Sequence, residues 1–179
     1  MATSTFSGPV VSKNGFINTG PGNVVSADAS ISLTVAAHAG KIIHNAAAGA
    51  VVYALPALNA TADGASSGPS SDIDNLNNMG ATFTIVSSIT KTGDLVVQAA
   101  NANDIMTGSA TIVDTDTSDN MEGFVTASTS DTITLNGSTK GGVTHATITC
   151  TAISSTKWSV SIITGGTGNL ATPFSAAVS

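Results

Sequence analysis

The stretch Trp158-Ser-Val-Ser-Ile162 decides the fold, because apolar and hydroxyl side chains alternate along it. Successive side chains of a β-strand point to opposite faces, so this period of two puts Trp158, Val160 and Ile162 on one face and the serines on the other. Alternation of this kind is typical of a strand that buries one face and leaves the other in water. We therefore predict a half-buried strand here.

The same period recurs along the rest of the chain. The further predicted strands are Ile31-Ser-Leu-Thr-Val35, Thr82-Phe-Thr-Ile-Val86, Gly93-Asp-Leu-Val-Val-Gln98, Ala110-Thr-Ile-Val113 and Thr132-Ile-Thr-Leu135. β-branched Thr suits the wet face, and the pairs Asn14-Gly15 and Asn136-Gly137 favour tight turns. Short strands at a spacing of roughly ten residues predict an all-β fold, an antiparallel β-sandwich or barrel, rather than βαβ units.

Helical signals are sparse. The best helix candidate is Ser71-Asp-Ile-Asp-Asn-Leu-Asn-Asn-Met79, where Ser71 could cap the N-terminus and Gly80 could end the helix. Its two Asp residues suit the positive end of a helix, whereas its three Asn residues weaken the prediction. We expect at most one short helix.

The chain divides into an arm and one domain. Residues 1–25 combine Gly-Pro and Asn-Gly turn signals with apolar side chains, which indicates an extended N-terminal arm rather than a disordered tag. Residues 26–179 are predicted to form a single β-rich domain with a polar insertion at 59–80. The C-terminal tail is expected to pack through Leu170 and Phe174.

The composition restricts the partners. Charged side chains make up 9% of the 179 residues, against about a quarter in an average soluble domain. The net charge is −6, and the five lysines stand singly with no Arg beside them, so we expect no nucleic-acid partner. No apolar run approaches the ~18 residues of a spanning helix, and the first residues lack a basic and an apolar segment. No membrane partner and no signal peptide are therefore expected.

No motif supports a catalytic or metal site. Gly166-Thr-Gly-Asn-Leu-Ala171 matches a dinucleotide-binding pattern but lacks the helix and the later acid that such a site needs. The acidic segment 114–122 would need Gly in place of Asp119 and Glu in place of Val125 to be an EF-hand. We interpret that segment as a solvated turn, with ion binding as the alternative.

The histidines and the single cysteine do not form a metal site in the sequence. His38 and His44 lie six residues apart across a glycine. His145 and Cys150 lie five apart on one predicted strand and would point to opposite faces. Cys150 shares a face with Ile148 and is interpreted as a small buried apolar residue. The sequence therefore predicts no catalytic residue, no metal and no cofactor, and a protein that is not an enzyme.

Few residues guard the predicted sheet edges. Exposed edges are usually protected by Lys, Pro or bulges, because a bare edge pairs with another chain. We expect either closure into a barrel or edges covered by neighbouring subunits. The arm could add as a strand to a partner's sheet. Its predicted anchors are Phe6, Val10, Val11, Phe16 and Ile17.

Four strings carry a resemblance to a known class of proteins. They are the opening Thr5-Phe-Ser-Gly-Pro-Val-Val-Ser-Lys-Asn-Gly-Phe-Ile17, Ala81-Thr-Phe-Thr-Ile-Val86, Ser130-Asp-Thr-Ile-Thr-Leu-Asn-Gly-Ser138 and Ala171-Thr-Pro-Phe-Ser175. They are similar to strings in small virion proteins of marine tailed bacteriophages, against which residues 59–80 look like an insertion.

The resemblance implies a capsid decoration, or cement, protein. Such a protein is a β-rich homotrimer on the outer surface of the capsid, where it binds the major capsid protein and stabilises the shell. The resemblance assigns no role to an individual residue. The alternatives are a head fibre or tail structural protein, and a carbohydrate-binding β-sandwich module that would have to use Trp158 or Tyr53 as its sugar platform.

Overall fold

The computed structural model describes residues 23–60, 78–116 and 120–178. In these ranges the chain forms twelve strands and one helix of four residues. The elements in chain order are β1 (Val24–Ser26), β2 (Ile31–Ser32), α1 (Val35–His38), β3 (Ile42–Asn45), β4 (Val51–Ala54), β5 (Thr82–Ser87), β6 (Leu95–Gln98), β7 (Ile105–Asp114), β8 (Met121–Val125), β9 (Thr132–Leu135), β10 (Val143–Ser154), β11 (Lys157–Gly166) and β12 (Phe174–Ser175). The predicted all-β fold is confirmed.

The strands form two sheets in a β-sandwich-like arrangement. One sheet has the order β1-β3-β5-β10-β11-β7-β8, and the other has the order β12-β9-β6-β4-β2. Inward-facing side chains of both sheets join a single buried cluster. In β11 every second residue is buried, including Trp158, Val160 and Ile162, which confirms the strand predicted there.

The prediction of antiparallel sheets is wrong, because both sheets are mixed. β3 pairs in parallel with β1 and β5, β11 pairs in parallel with β7, and β4 pairs in parallel with β2 and β6. From β3 to β7, successive strands alternate between the two sheets. The chain therefore returns to each sheet through a crossover, and parallel pairing follows, whereas a tight hairpin would produce antiparallel pairing.

The predicted strand at 31–35 is wrong in its second half. β2 ends at Ser32, and α1 begins at Val35. Thr34 caps this helix, since its hydroxyl accepts a hydrogen bond from the Ala37 N–H at 3.3 Å, and its own N–H donates to His38 Nδ1 at 3.0 Å. These two hydrogen bonds favour a helix more strongly than the alternating pattern favours a strand. The helix predicted at 71–79 lies almost wholly outside the described residues.

The ends of the domain differ in detail from the predicted boundaries. Val24 and Val25 fall in the predicted arm but belong to β1, which pairs with β3. The tail packs as expected through Phe174, which is buried and pairs with Ile133 of β9. The Asp131 carboxylate holds the tail further on, because it accepts from the N–H groups of Ala177 and Val178 at 2.8 and 3.2 Å. The arm residues 1–22 and the insertion residues 61–77 lie outside the described ranges.

Candidate interaction surface

Strand β8 is an open edge of the seven-stranded sheet. It pairs with β7 on one side, and no strand of the described ranges pairs with its other side. Met121 is 69% exposed and Val125 is 77% exposed, while Phe124 packs against the core cluster. The strand contains neither Lys nor Pro, and its one charged residue is the exposed Glu122, which pairs with buried Ile112.

Two neighbouring strands extend this apolar area. Residues in register share a face, so Val113 of β7 lies on the same face as Met121. Ile163 of β11 reaches that face through its pairing with Thr111 of β7. Val113 is 44% exposed and Ile163 is 59% exposed. We call the side chains Val113, Met121, Val125 and Ile163 the β8 surface.

Hydroxyl groups cover much of the remaining outer face of this sheet. Two rows cross β5, β10, β11 and β7 in register: Thr82, Thr151, Ser159 and Thr107, and then Thr84, Thr149, Ser161 and Ser109. These side chains are exposed or half-buried, and the Oγ1 atoms of Thr82 and Thr151 lie 3.0 Å apart. Both rows lack charge. A partner on these two rows would meet hydroxyl groups, while the exposed Lys157 lies on the same face at the start of β11.

The opposite edge of the same sheet is also apolar but short. β1 has three residues, and its Val24 pairs with Ile42 of β3. Val24 is 54% exposed and Ile42 is 42% exposed. The apolar area is therefore present at both edges of the seven-stranded sheet, but the longer stretch of unpaired backbone belongs to β8.

The predicted arm anchors cannot be placed on this surface. Phe6, Val10, Val11, Phe16 and Ile17 all lie outside the described residues. Their role remains a prediction from the sequence.

Two carboxylates of the acidic segment accept hydrogen bonds from the protein, whereas the sequence indicated a solvated turn. Asp114 is buried, and its Oδ1 accepts from the Asp116 N–H at 3.1 Å. The Asp116 carboxylate accepts from the Gly168 N–H at 2.9 Å and from the Thr167 hydroxyl at 3.4 Å. These carboxylates fasten the loop after β7 to the loop after β11. Residues 117–119 lie outside the described ranges.

The histidines are dispersed, and each has a local hydrogen-bond partner. His38 belongs to α1, His44 Nε2 lies 2.8 Å from the Ser88 hydroxyl, and His145 Nε2 lies 3.0 Å from the Thr147 hydroxyl. The part of the chain that the structure describes contains no group of three or more His, Cys, Asp or Glu able to hold a metal ion. Burial raises the pKa of the Cys150 thiol to about 12, so this side chain is an unreactive core residue, as predicted.

The aromatic residues weighed as a sugar platform are buried. Trp158 and Tyr53 are both fully inaccessible, and the Trp158 ring packs edge-to-face on Phe83 with the ring centres 5.8 Å apart. Neither ring offers a face on which a sugar could stack. The carbohydrate-binding alternative therefore loses the two residues on which it depended.

A small cavity lies where β7 begins. It is lined by Ile105, Met106, Thr107, Lys157 and the loop 126–128, and its volume is about 250 Å³. Pockets for small molecules generally enclose about 300–1,000 Å³ and concentrate several polar groups. Lys157 is the single charged residue of this lining. The cavity is therefore slightly smaller than a usual small-molecule pocket, and one charged residue lines it.

A buried lysine is the feature that the sequence did not reveal. Lys91 is 2% exposed, and its ammonium nitrogen contacts Asn45 Oδ1 at 3.2 Å and the carbonyl oxygen of Ala47. The sequence does contain a sign of this cluster in β3. Asn45 lies two residues after Ile43, so its side chain points to the same buried face. A buried amide needs polar partners.

Comparisons of the chain with protein-family models, with curated proteins and with solved structures give no match. Among the described residues, no helix is long and apolar enough to cross a membrane.

Proposed function

We propose that this chain is a structural virion protein that decorates the outside of a bacteriophage capsid and stabilises the shell. The observation that supports this proposal best is the β8 edge, which combines five residues of unpaired strand with exposed Met121 and Val125. Such an edge binds another chain through backbone hydrogen bonds and apolar contacts. The β8 surface and the two hydroxyl rows lack charge, which suits a tight fit to a protein shell rather than to a nucleic acid.

The partners follow from this proposal. The major capsid protein would cover one part of the seven-stranded sheet, and two further copies of the chain would cover another in a homotrimer. The chain would then act by surface complementarity and not as an enzyme. Association should depend little on salt, because the β8 surface and the two hydroxyl rows carry no charge.

The test is co-sedimentation with empty heads of the phage that carries this chain. We expect Val125→Lys to reduce binding by at least about tenfold, because a lysine must be desolvated when the edge is covered. Ile89→Lys is the matched control, since Ile89 is also an exposed apolar residue, at 37%, but lies in the loop after β5, off the β8 surface and off the two hydroxyl rows. Equal binding by both variants would contradict the role of β8.

The arm needs a separate experiment. Deletion of residues 1–17 removes all five predicted anchors. We expect the truncated chain to bind empty heads more weakly than the full chain. Undiminished binding would overturn the role of the arm while leaving the β8 surface untouched.

The second candidate function is a head fibre or tail structural protein, which the same open edge could serve. Negative-stain imaging of virions labelled with an antibody to this chain separates the two. Label on the capsid faces supports decoration, whereas label confined to a fibre or to the tail supports the alternative.

A further inference from the structure

A polar cluster lies inside the sandwich, between the two sheets. Asn45 comes from the inner face of β3, Tyr53 from the inner face of β4, and Lys91 from the loop between β5 and β6. Asn45 and Tyr53 are fully buried, and Lys91 is 2% exposed. Lysine is almost never buried to this degree unless it is paired.

The lysine has carbonyl groups, not a carboxylate, as its hydrogen-bond partners. Its Nζ donates to Asn45 Oδ1 at 3.2 Å and to the carbonyl oxygen of Ala47. Asp28 acts on it electrostatically, but the Asp28 side chain is exposed and accepts from the Ala46 N–H at 2.7 Å. Burial lowers the pKa of Lys91, and Asp28 acts in the opposite direction with a smaller effect. Burial thus shifts the Lys91 equilibrium towards the neutral amine, which is the nucleophilic form.

The asparagine is held with its carbonyl oxygen towards this amine. Its Nδ2 donates to Tyr53 Oη at 2.9 Å and to the carbonyl oxygen of Ala27 at 3.2 Å. The Tyr53 hydroxyl donates to that same carbonyl. The amide therefore has one orientation, with its oxygen on the lysine side and its nitrogen on the tyrosine side.

The lysine backbone is fixed just as closely. The Lys91 N–H donates to the Gly142 carbonyl at 2.9 Å, and a Cβ at Gly137 would overlap the Lys91 carbonyl oxygen. Gly137 has a φ of 73°, where an L side chain is strained. Two partners held in contact react far faster than free ones, since the entropy of bringing them together is already lost on folding.

We propose that Lys91 and Asn45 join in an intramolecular isopeptide bond. The lone pair of Lys91 Nζ attacks Asn45 Cγ, the new Nζ–Cγ bond forms, and the Cγ–Nδ2 bond breaks. The amine loses one proton and the departing nitrogen gains one, so that a single molecule of ammonia leaves and no oxidant or reductant takes part. Tyr53 Oη lies 2.9 Å from Nδ2. By turning its proton from the Ala27 carbonyl to Nδ2, this hydroxyl would give the departing nitrogen its proton, and the proton that the amine releases would then restore the hydroxyl.

The bond would connect the two halves of the fold. Asn45 ends β3 in the seven-stranded sheet, and Lys91 precedes β6 in the five-stranded sheet. Cys150 is the one cysteine of the chain, so no disulfide within it can supply such a link. A covalent link between distant residues restricts the unfolded chain and so raises stability. That gain would suit a shell protein, although the inference stands on the interior alone and not on the proposed function.

The experiment is mass spectrometry of the full chain and of its digests. We expect the intact mass to fall short of the sequence mass by one ammonia. Trypsin should fail to cleave after the acylated Lys91, so that peptides 42–91 and 92–140 are replaced by one peptide, 42–140, lighter by one ammonia. Cleavage before Asp should give a branched peptide in which 28–62 is joined to 74–93.

Two variants provide the controls. Succinimide formation at an Asn-Gly pair also removes one ammonia, but it leaves tryptic cleavage after Lys91 intact and joins no peptides. Lys91→Arg and Asn45→Ala should each restore the full mass of their own sequence. Because the mass is measured on denatured chain, a variant that folds poorly still gives a clear result. A wild-type chain of full mass that trypsin cleaves after Lys91 would overturn the proposal.

The role of Tyr53 has its own readout. With samples taken at intervals after cell-free synthesis, Tyr53→Phe should slow the appearance of the branched peptide by at least about tenfold, if the hydroxyl transfers the proton. The same rate in this variant would remove Tyr53 from the reaction while leaving the bond itself in place.

Discussion

The edge strands of the two sheets differ in length and in burial. The five-stranded sheet ends in β2 and β12, each of two residues, and Phe174 of β12 is buried in the core cluster. The seven-stranded sheet ends in the five residues of β8, of which only Phe124 packs against that cluster. Short, anchored edge strands are a common protection against pairing with other chains. Shortness and burial thus protect both edges of the five-stranded sheet, whereas β8 is longer and has Glu122 as its one charged residue.

This difference indicates where the molecule meets its surroundings. A chain with so little charge can protect an edge by shortness or by burial, and it does so in the five-stranded sheet. At β8 the strand is longer, and its outward side chains are apolar. The open edge is therefore specific to one side of the fold rather than a general result of the composition.

The largest expected change in stability comes from the edge strand β12. Phe174→Ala removes a side chain that is 7% exposed, and we expect a loss of about 3–5 kcal/mol in the free energy of unfolding. Denaturant unfolding followed by circular dichroism measures it. Met121→Ala at the open edge should change stability by less than about 0.5 kcal/mol. Similar losses in both variants would remove the contrast between the two sheets.

The free energy of unfolding should fall at alkaline pH because of two buried groups. Cys150 lies in the seven-stranded sheet, and Tyr53 lies in the five-stranded sheet. Burial raises the pKa of Cys150 from 9.0 to about 12 and that of Tyr53 from 10.0 to about 12. Well below pH 9 both groups are protonated in the folded and unfolded chain, so their full contribution to stability is present. As the pH rises towards 12 the unfolded chain releases these protons first, and the contribution is lost.

The thiol share of this loss is at most about 4 kcal/mol, at 1.36 kcal/mol for each pKa unit. Cys150→Ala should therefore give a flatter decline of stability across this pH window. Urea unfolding at successive pH values measures the slope. A slope equal to that of the wild type would show that the thiol does not take part.

Local patterns predicted several strands but missed others, among them β3, β4 and β8, and did not predict which strands pair. Thr132–Leu135 was predicted to the residue, and Cys150 is buried beside Ile148 as its position on the strand implied. The direction of pairing depends on which sheet the chain enters next, and no window of a few residues contains that information. The buried Lys91 was missed because its position follows from the packing of Gly137 and Gly142, which lie far along the chain.

The sequence predicted an open sheet edge, but it did not predict which strand forms that edge. The scarcity of Lys and Pro predicted an unguarded edge, yet β8 itself was not predicted as a strand. Its segment Met121-Glu-Gly-Phe-Val125 has a single inward anchor and a central glycine, so it lacks the alternation that marks the other strands. Pairing with β7, not its own pattern, makes it a strand.

Phe124 should therefore control whether β8 stays attached. This side chain is half-buried and lies opposite Ala110 of β7. We expect Phe124→Ala to cost about 1–2 kcal/mol, since only part of the ring leaves a buried environment. Hydrogen exchange should become faster in β8 while β11 keeps its protection. Unchanged exchange in β8 would mean that the backbone ladder alone holds the strand.

A lysine placed on each of the two edge strands β8 and β2 should have the smallest effect on stability. The same pair of variants compares the two edges most directly. Met121→Lys on β8 and Ser32→Lys on β2 both alter exposed positions, so each should change the free energy of unfolding by less than about 0.5 kcal/mol. Self-association of the isolated chain, measured by sedimentation equilibrium, should weaken in Met121→Lys alone. If Ser32→Lys weakened it equally, general charge repulsion rather than the open edge would govern association. If neither variant weakened it, the copies would meet through a different surface, and β8 would remain available to the capsid.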